Sequence, residues 1–328
     1  MLVESLAQRS TCSFPIQNCR ATVYFSFFLR YTLLPKADRV QVHQSQTGFS
    51  VWIPFTQRNF TMAMDIQNAL RLGQFATAAY NPLPTNPVSY PVPLGYQQVQ
   101  VIYGNDLATD INLVTANVPF GFIARSAAPA NEFVVAIRGT ESIWEWIQDA
   151  RFQRVTCPFV DGGGETEDGF TDVYMSLKTA AAGGQRVVDV LRGLMGPIQG
   201  ATLSITGHSL GSALATLLAV DVAEHNNLNP SVITFASPFV GDPQFVRTYN
   251  AEVPDTWRIA NFVDAVTKLP PSFWGFDHVD QLFQVNSLLK AKFNPVCCHI
   301  LPTYMFLLGQ LAGGGNFQLD PLCRQAAI

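Results

Sequence analysis

The sequence predicts an α/β domain with a mostly parallel central sheet flanked by helices. Three observations predict it. From Met62 onward, short apolar runs of strand length alternate with longer runs of helical period. One apolar run, Leu203–Thr206, turns between two glycines straight into an apolar helix. Hydrophobic residues make up 48% of the 328 residues and charged residues 13%, a composition that builds a core.

The elements follow in order. "MAMDIQNALRLGQFATAAYN" opens with Asp65 as a helix cap, and Ile66, Ala69, Leu70, Gly73 and Ala76 keep the 3.6-residue period. "NPLPTNPVSYPVP", Asn81–Pro93, is too rich in proline for regular structure and reads as a loop. Strands are expected near Tyr96–Tyr103, Phe120–Arg125 and Phe133–Ile137. "GFTDVYMSLKTAAAGGQRVVDVLRGLM" reads as largely helical. Ser212 to about Asn226 is a helix apolar on nearly every side, hence mostly buried. Further strands are expected at Val232–Phe235 and Arg258–Phe262. Residues 1–61 lack this order: Phe, Gln and Arg mix without a helical or strand plan. They are expected to form an extension, or an upstream stretch read in frame, with the domain proper covering residues 62–328.

Composition removes several classes. The formal net charge is −4 and the 20 Lys and Arg are scattered, so no nucleic-acid surface is expected. No apolar run approaches the roughly 20 residues of a transmembrane helix. "VYFSFFLRYTLL", Val23–Leu34, is interrupted by Arg30, starts late and lacks a small-residue cleavage site, so it reads poorly as a signal peptide. Localisation stays open between secreted and cytoplasmic, and nothing indicates an oligomeric state. The six cysteines, Cys12, Cys19, Cys157, Cys297, Cys298 and Cys323, match neither a disulfide framework nor a zinc site. They are expected to be buried or free thiols.

"GHSLG", Gly207–Gly211, fits G-x-S-x-G between a strand and a helix. In such a turn the flanking positions crowd one another and must be small. The serine hydroxyl is thereby exposed beside a helix N-terminus, where backbone N–H groups face any negative charge that develops. A serine needs a base, and the base needs an orienting carboxylate. Three histidines follow Ser209. His225 closes the helix far from its start, which is ordinary charge–dipole chemistry. His278 and His299 stay as candidate bases. Asp264, just after the strand "RIANFV", is the best-placed acid, with Asp242 and Asp255 as alternatives.

"ESIWEWIQD", Glu141–Asp149, sets Ile143, Trp144, Trp146 and Ile147 against Glu141, Glu145, Gln148 and Asp149. A short amphipathic helix rich in tryptophan is what a lid at a lipid surface requires, and equally what an ordinary surface helix with buried tryptophans shows.

At these residues the chain resembles the class 3, fungal-type lipase family. "VVAIRGTES" resembles its strand and oxyanion loop, "SIWEWIQDARF" its lid, and "ITGHSLGSALATLLAVDV" its nucleophile turn. "TFASPFVGD" and "RIANFVDAVTKLPP" resemble the following strand and the acid segment. "DGFTDVY" resembles a helix start, although Glu167 stands where the family usually has histidine. The resemblance covers roughly Met64–Leu307.

It implies an α/β-hydrolase fold with a short lid helix, and hydrolysis of a triacylglycerol or other lipid ester through an acyl-enzyme. It makes Ser209 the nucleophile, Asp264 the acid and His299 the base, since the family's histidine sits late, shortly before an aromatic such as Tyr304. His278 is the rival base. The amides of Thr140 and Leu210 become the oxyanion hole, and Ile143, Trp144, Trp146 and Ile147 the apolar face of the lid. No cofactor or metal is called for. The expected partners are a lipid or ester substrate and a transient contact with a lipid interface. An esterase or acyltransferase acting on soluble short-chain esters, or a non-catalytic binding module, would use the same fold.

Overall fold

The computed structural model describes residues 39–41, 52–54, 63–106, 115–140, 152–180, 183–226, 228–279 and 281–325. The chain divides into two units, Met1–Met62 and Ala63–Ile328. In the first, β1 (Arg39–Gln41) pairs antiparallel with β2 (Trp52–Pro54), Val40 opposite Ile53.

The second unit opens with α1 (Ile66–Ala79), and the Asp65 carboxylate caps it by accepting from the N–H groups of Gln67 and Asn68. Three strands follow, β3 (Tyr96–Asp106), β4 (Thr115–Ser126) and β5 (Glu132–Ile137). A small antiparallel pair, β6 (Arg154–Thr156) and β7 (Glu165–Glu167), leads into α2 (Asp168–Ser176) and α3 (Val187–Met195). Next come β8 (Thr202–His208), α4 (Leu210–Asn226), β9 (Ser231–Phe235), α5 (Pro243–Glu252), β10 (Thr256–Asn261) and β11 (Leu282–Val285). Two short helices close the unit, α6 (Pro295–His299) and α7 (Leu301–Leu311).

The central sheet has seven strands in the order β11-β10-β9-β8-β5-β4-β3. Five of them, β5 to β11 in that row, run parallel, and β3 and β4 add an antiparallel edge. Both faces are covered. Phe133, Val135 and Ile137 of β5 join the core formed with α2, α3 and α4, whereas Val134 and Ala136 join the core formed with α1 and α7. Strand alternation sends successive side chains to opposite faces, so a strand buried on both sides must read as a continuous apolar run. That is why "VVAI" carries no polar residue.

The long stretch expected as helix is two helices, because Lys178 forms isolated β-bridges with Tyr103 and Arg186 between them. The α4 helix is buried from Leu210 through Ala223, as its composition requires. Asp221 is buried within it. Its carboxylate accepts from Tyr174 and from Arg186 (2.5 Å), and His225 Nδ1 lies 2.8 Å from its other oxygen. The cysteine expectation needs one correction: Cys297 and Cys323 form a disulfide, and Cys157 and Cys298 are buried free thiols. Their partnership could not be read from spacing, because a fold and not the chain brings positions 26 apart together. Among the described residues no helix is long and apolar enough to cross a membrane.

Glu167, at the position where the resembling family has histidine, caps α2 by accepting from Phe170 N–H at 2.7 Å. Burial pushes its carboxyl up from 4.5 to about 7, with Asp168 and Asp172 adding to the rise and the Phe170 and Gly169 amides opposing it. The folded chain therefore holds this proton more tightly than the unfolded chain. The resulting stability is complete below about pH 4.5 and is lost as pH rises through about 7. Glu167→Gln should remove this slope, about 3 kcal/mol between pH 4.5 and pH 8. Urea midpoints of both proteins across that range check it; parallel curves would refute the assignment.

Candidate active site

At the turn after β8, Ser209 has φ +59°, a left-handed conformation that a serine adopts only under constraint. The flanking glycines impose it. A Cβ on Gly207 would lie 2.2 Å from the Gly211 carbonyl oxygen, and one on Gly211 would lie 2.2 Å from the Ile137 carbonyl oxygen. Both obstacles are backbone, one in the first turn of α4 and one at the end of β5, and cannot swing aside. Gly211→Ala should therefore destabilise the fold by about 3 kcal/mol or more, read as a fall in the denaturation midpoint. A midpoint equal to that of the unaltered chain would show the turn to be looser than drawn.

The turn sets Ser209 at the N-terminus of α4, whose first amide is Leu210. The end of β5 passes close by. A Cβ on Gly139 would lie 3.0 Å from the Ser209 Cβ, and Thr140 is the next residue along the chain. The parallel sheet thus brings the end of β5 beside the turn that carries Ser209.

His299 reaches the serine. Its Nε2 lies 2.8 Å from Ser209 Oγ, and its Nδ1 lies 2.9 Å from Asp264 Oδ2. A carboxylate only accepts, so Nδ1 carries the ring proton and Nε2 meets the hydroxyl with its lone pair. Asp264 is fully buried and saturated with donors. Oδ2 also accepts from Tyr304 O–H at 2.6 Å, and Oδ1 accepts from Val266 N–H at 2.9 Å. Burial, and then the Asp264 charge, hold the Tyr304 hydroxyl well above its ordinary range, so it stays a donor. Asn261, the last residue of β10, fixes the segment that carries His299: its Nδ2 donates to Cys298 C=O at 2.7 Å and to Ser287 Oγ at 2.8 Å.

The other candidates lie elsewhere. His278 is stacked on Phe239 with ring centres 3.7 Å apart, and its Nε2 bonds the Thr267 carbonyl at 2.8 Å. Burial, then Arg258, lower it to about 3. Asp242 caps α5 through Phe245 N–H. Ile143, Trp144, Trp146 and Ile147 lie outside the described residues.

A second histidine completes the constellation. His208, beside the serine, bonds the His299 carbonyl through Nε2 at 2.8 Å, so Nε2 carries its proton. Its bare Nδ1 then accepts from Tyr80 O–H at 2.7 Å, and the Tyr80 oxygen accepts from Gly139 N–H at 2.9 Å. Burial, and then His299, lower His208 to about 3, so it stays neutral and its tautomer is fixed. One unbroken chain of hydrogen bonds links the end of α1, the oxyanion strand, the serine turn and the backbone of His299. Tyr80→Phe cuts this chain at both bonds. It should lower kcat about tenfold or more with little change in KM, because small displacements of donors cost rate rather than binding. An unchanged kcat in a steady-state assay would make the link purely structural.

Residues 134–274 match the family described as lipase (class 3). Over this stretch the chain is similar to the class 3 lipase family. Relatives of this chain include phospholipase A1-II 4 of Oryza sativa subsp. japonica, 30% identical over 220 residues, covering 60% of this chain and 55% of that protein. The lipase of Rhizomucor miehei is 30% identical over 168 residues, covering 50% and 44%. The chain spans about half the length of the curated relatives it matches. Among solved structures, the Rhizomucor miehei lipase propeptide complex superposes with a TM-score of 0.52 at 23% identity, over 68% of this chain and 70% of that one. Mono- and diacylglycerol lipase from Aspergillus oryzae gives 0.52 at 21%, over 68% and 80%. The chain has the α/β-hydrolase fold, as the resemblance implied.

Sequence reasoning missed Tyr80, His208 and Asn261, and took Tyr304 only as a landmark. His208 sits inside the pentapeptide and carried a signal: a histidine at a buried turn needs two partners. Tyr80 carried none, since 128 residues separate it from His208.

Proposed function

We propose that this chain hydrolyses carboxylic esters of lipids through a serine acyl-enzyme. The reading is carried by one observation, the continuous proton path from Ser209 Oγ to His299 Nε2 and from His299 Nδ1 to Asp264, at 2.8 and 2.9 Å.

In the first step Ser209 attacks the ester carbonyl as its proton passes to neutral His299. Asp264 holds the imidazole in the working tautomer and stabilises the cation that forms. The amides of Leu210 and Thr140 receive the oxyanion, helped by the positive end of α4. The imidazolium then gives its proton to the departing alcohol, leaving the acyl group on Ser209. In the second step His299 takes a proton from water, hydroxide equivalent attacks the acyl carbonyl, and the proton returns to Ser209 as the fatty acid leaves. Every proton is accounted for by these side chains.

A lipid ester is favoured over a soluble ester by the names of the relatives, phospholipase A1 in rice and lipase in Rhizomucor miehei. Residues 62–328 are the unit that does this work, and residues 1–61 are an extension to it.

A fluorophosphonate probe followed by peptide mapping tests the reading. Label on Ser209, with loss of long-chain ester hydrolysis in proportion, is expected. Hydrolysis that persists after complete labelling, or label elsewhere only, would overturn it.

A further inference from the structure

Around the end of the sheet where the triad lies, the surface is apolar. The loop after β11 and the start of α6 expose Leu288, Leu289, Phe293 and Val296, with Leu289 84% and Phe293 73% accessible. Phe262, also exposed, joins them, because its N–H donates to Val285 C=O at the end of the neighbouring strand. Leu322 joins from the chain's C-terminal side, since the adjacent Cys323 accepts from Lys292 N–H at 2.9 Å and is bonded to Cys297. Behind Leu288 the surface dips into a hollow of ≈ 240 Å³ that Val285, Lys290 and Leu307 help to line. Single exposed apolar side chains are ordinary, but six on adjoining segments form a patch.

The patch is also basic. Lys268, Lys290 and Lys292 are exposed within it. Lys268 Nζ donates to the Phe262 carbonyl at 2.9 Å and lies 5.4 Å from that ring's centre. Among the described residues none of the three pairs with a carboxylate. From Gln281 to Leu319 the sequence holds two lysines and no acid. Asp264 is buried in the triad, and Asp320 spends one oxygen on Leu322 N–H. The surroundings are opposite in sign: residues 63–328 carry 14 Lys and Arg against 22 Asp and Glu.

We propose that this patch docks the enzyme on an anionic lipid–water interface, with Leu289 and Phe293 entering the apolar layer and Lys290 and Lys292 meeting negative headgroups. The proposal rests on the reading of the chain as a lipid-ester hydrolase and names the surface that this hydrolase works on. The first 62 residues are a poorer occupant, for they carry six basic and two acidic residues and would repel the lysines. A second copy placed patch to patch would set lysine against lysine. An anionic interface offers both an apolar layer and the complementary charge.

The test is co-sedimentation of the full chain with vesicles of diether lipids, which contain no ester and so cannot be consumed. Diether phosphatidylcholine is compared with the same lipid containing diether phosphatidylglycerol. Binding should be stronger on the anionic vesicles and should weaken with added salt. Each lysine near an anionic surface strengthens partition about fivefold, so Lys290→Gln with Lys292→Gln should weaken anionic binding about 25-fold and leave neutral binding unchanged. Leu289→Ser with Phe293→Ser should weaken both. Both variants should turn over a monomeric soluble ester at the parental rate, which shows them folded. Indifference of the unaltered chain to headgroup charge and salt would overturn the proposal without any variant. So would a charge variant that binds like the parent, or one that only dissociates an oligomer in sedimentation velocity. The enzymatic reading fails separately: Ser209→Ala would then keep its ester turnover while vesicle binding stood unchanged.

Discussion

Ser209→Ala should lower kcat for ester hydrolysis by about 10⁴-fold or more, with KM and the melting temperature close to those of the unaltered chain. The effect is large because, in the proposed mechanism, this side chain forms the covalent bond. With the hydroxyl gone, His299 has nothing to deprotonate, and only binding and the oxyanion amides act on the substrate. His299→Ala should cost about as much, and the double variant little more, since a triad acts as a unit. The protein should stay folded: alanine adopts the left-handed turn at a strain similar to that of serine, and α4 is held by its buried face. Steady-state rates on a short-chain ester, beside thermal melts, decide the matter. A variant within tenfold of the parental rate would remove Ser209 from the chemistry.

Asp264→Asn is expected to lower kcat by about 10³- to 10⁴-fold, the second-largest effect. Both carboxylate oxygens face donors. Oδ2 meets His299 Nδ1 and Tyr304 O–H, and Oδ1 meets Val266 N–H. An amide has one oxygen. If its NH₂ takes the Oδ1 place, two donors oppose each other at Val266 in a buried site. If it takes the Oδ2 place, it donates to His299 Nδ1 and drives the proton to Nε2, where the imidazole no longer accepts from Ser209. Either arrangement leaves the side chain nearly the same shape, so the loss comes from proton placement and not from packing. Tyr304→Phe gives the comparison: it removes one donor, keeps the carboxylate, and should cost about tenfold. An Asp264→Asn enzyme no slower than Tyr304→Phe would show that the carboxylate merely fills space.

Much of this was legible in the chain. The serine turn could be read because its constraint is local: two glycines, a strand before and an apolar helix after are all within about twenty residues of one another. The two-sided burial of β5 showed in the unbroken run "VVAI", and the cap of α1 in Asp65. Other features were illegible for equally physical reasons. β11 is four residues long, LFQV, with three of them at least partly exposed, so it lacks the apolar run by which a buried strand is recognised. α6 spans five residues and opens with proline, too short for a helical period to show. The pairing of Cys297 with Cys323 reflects where the C-terminal segment returns, not a spacing rule.

The candidate bases divide along the same line. His278 and His299 are both late histidines, and residue type alone does not tell them apart. Folding separates them by giving each a different acceptor. His278 spends its Nε2 on a backbone carbonyl, whereas His299 meets a carboxylate at one nitrogen and a hydroxyl at the other. Chemistry at a site depends on which groups share a few ångströms. Local sequence settles the kinds of element and the single strained turn, because those follow from the steric needs of neighbouring residues. Positions up to 128 apart, such as Tyr80 and His208, become partners only when a sheet and its two helical layers close around them. Their hydrogen bonds then set where each proton sits.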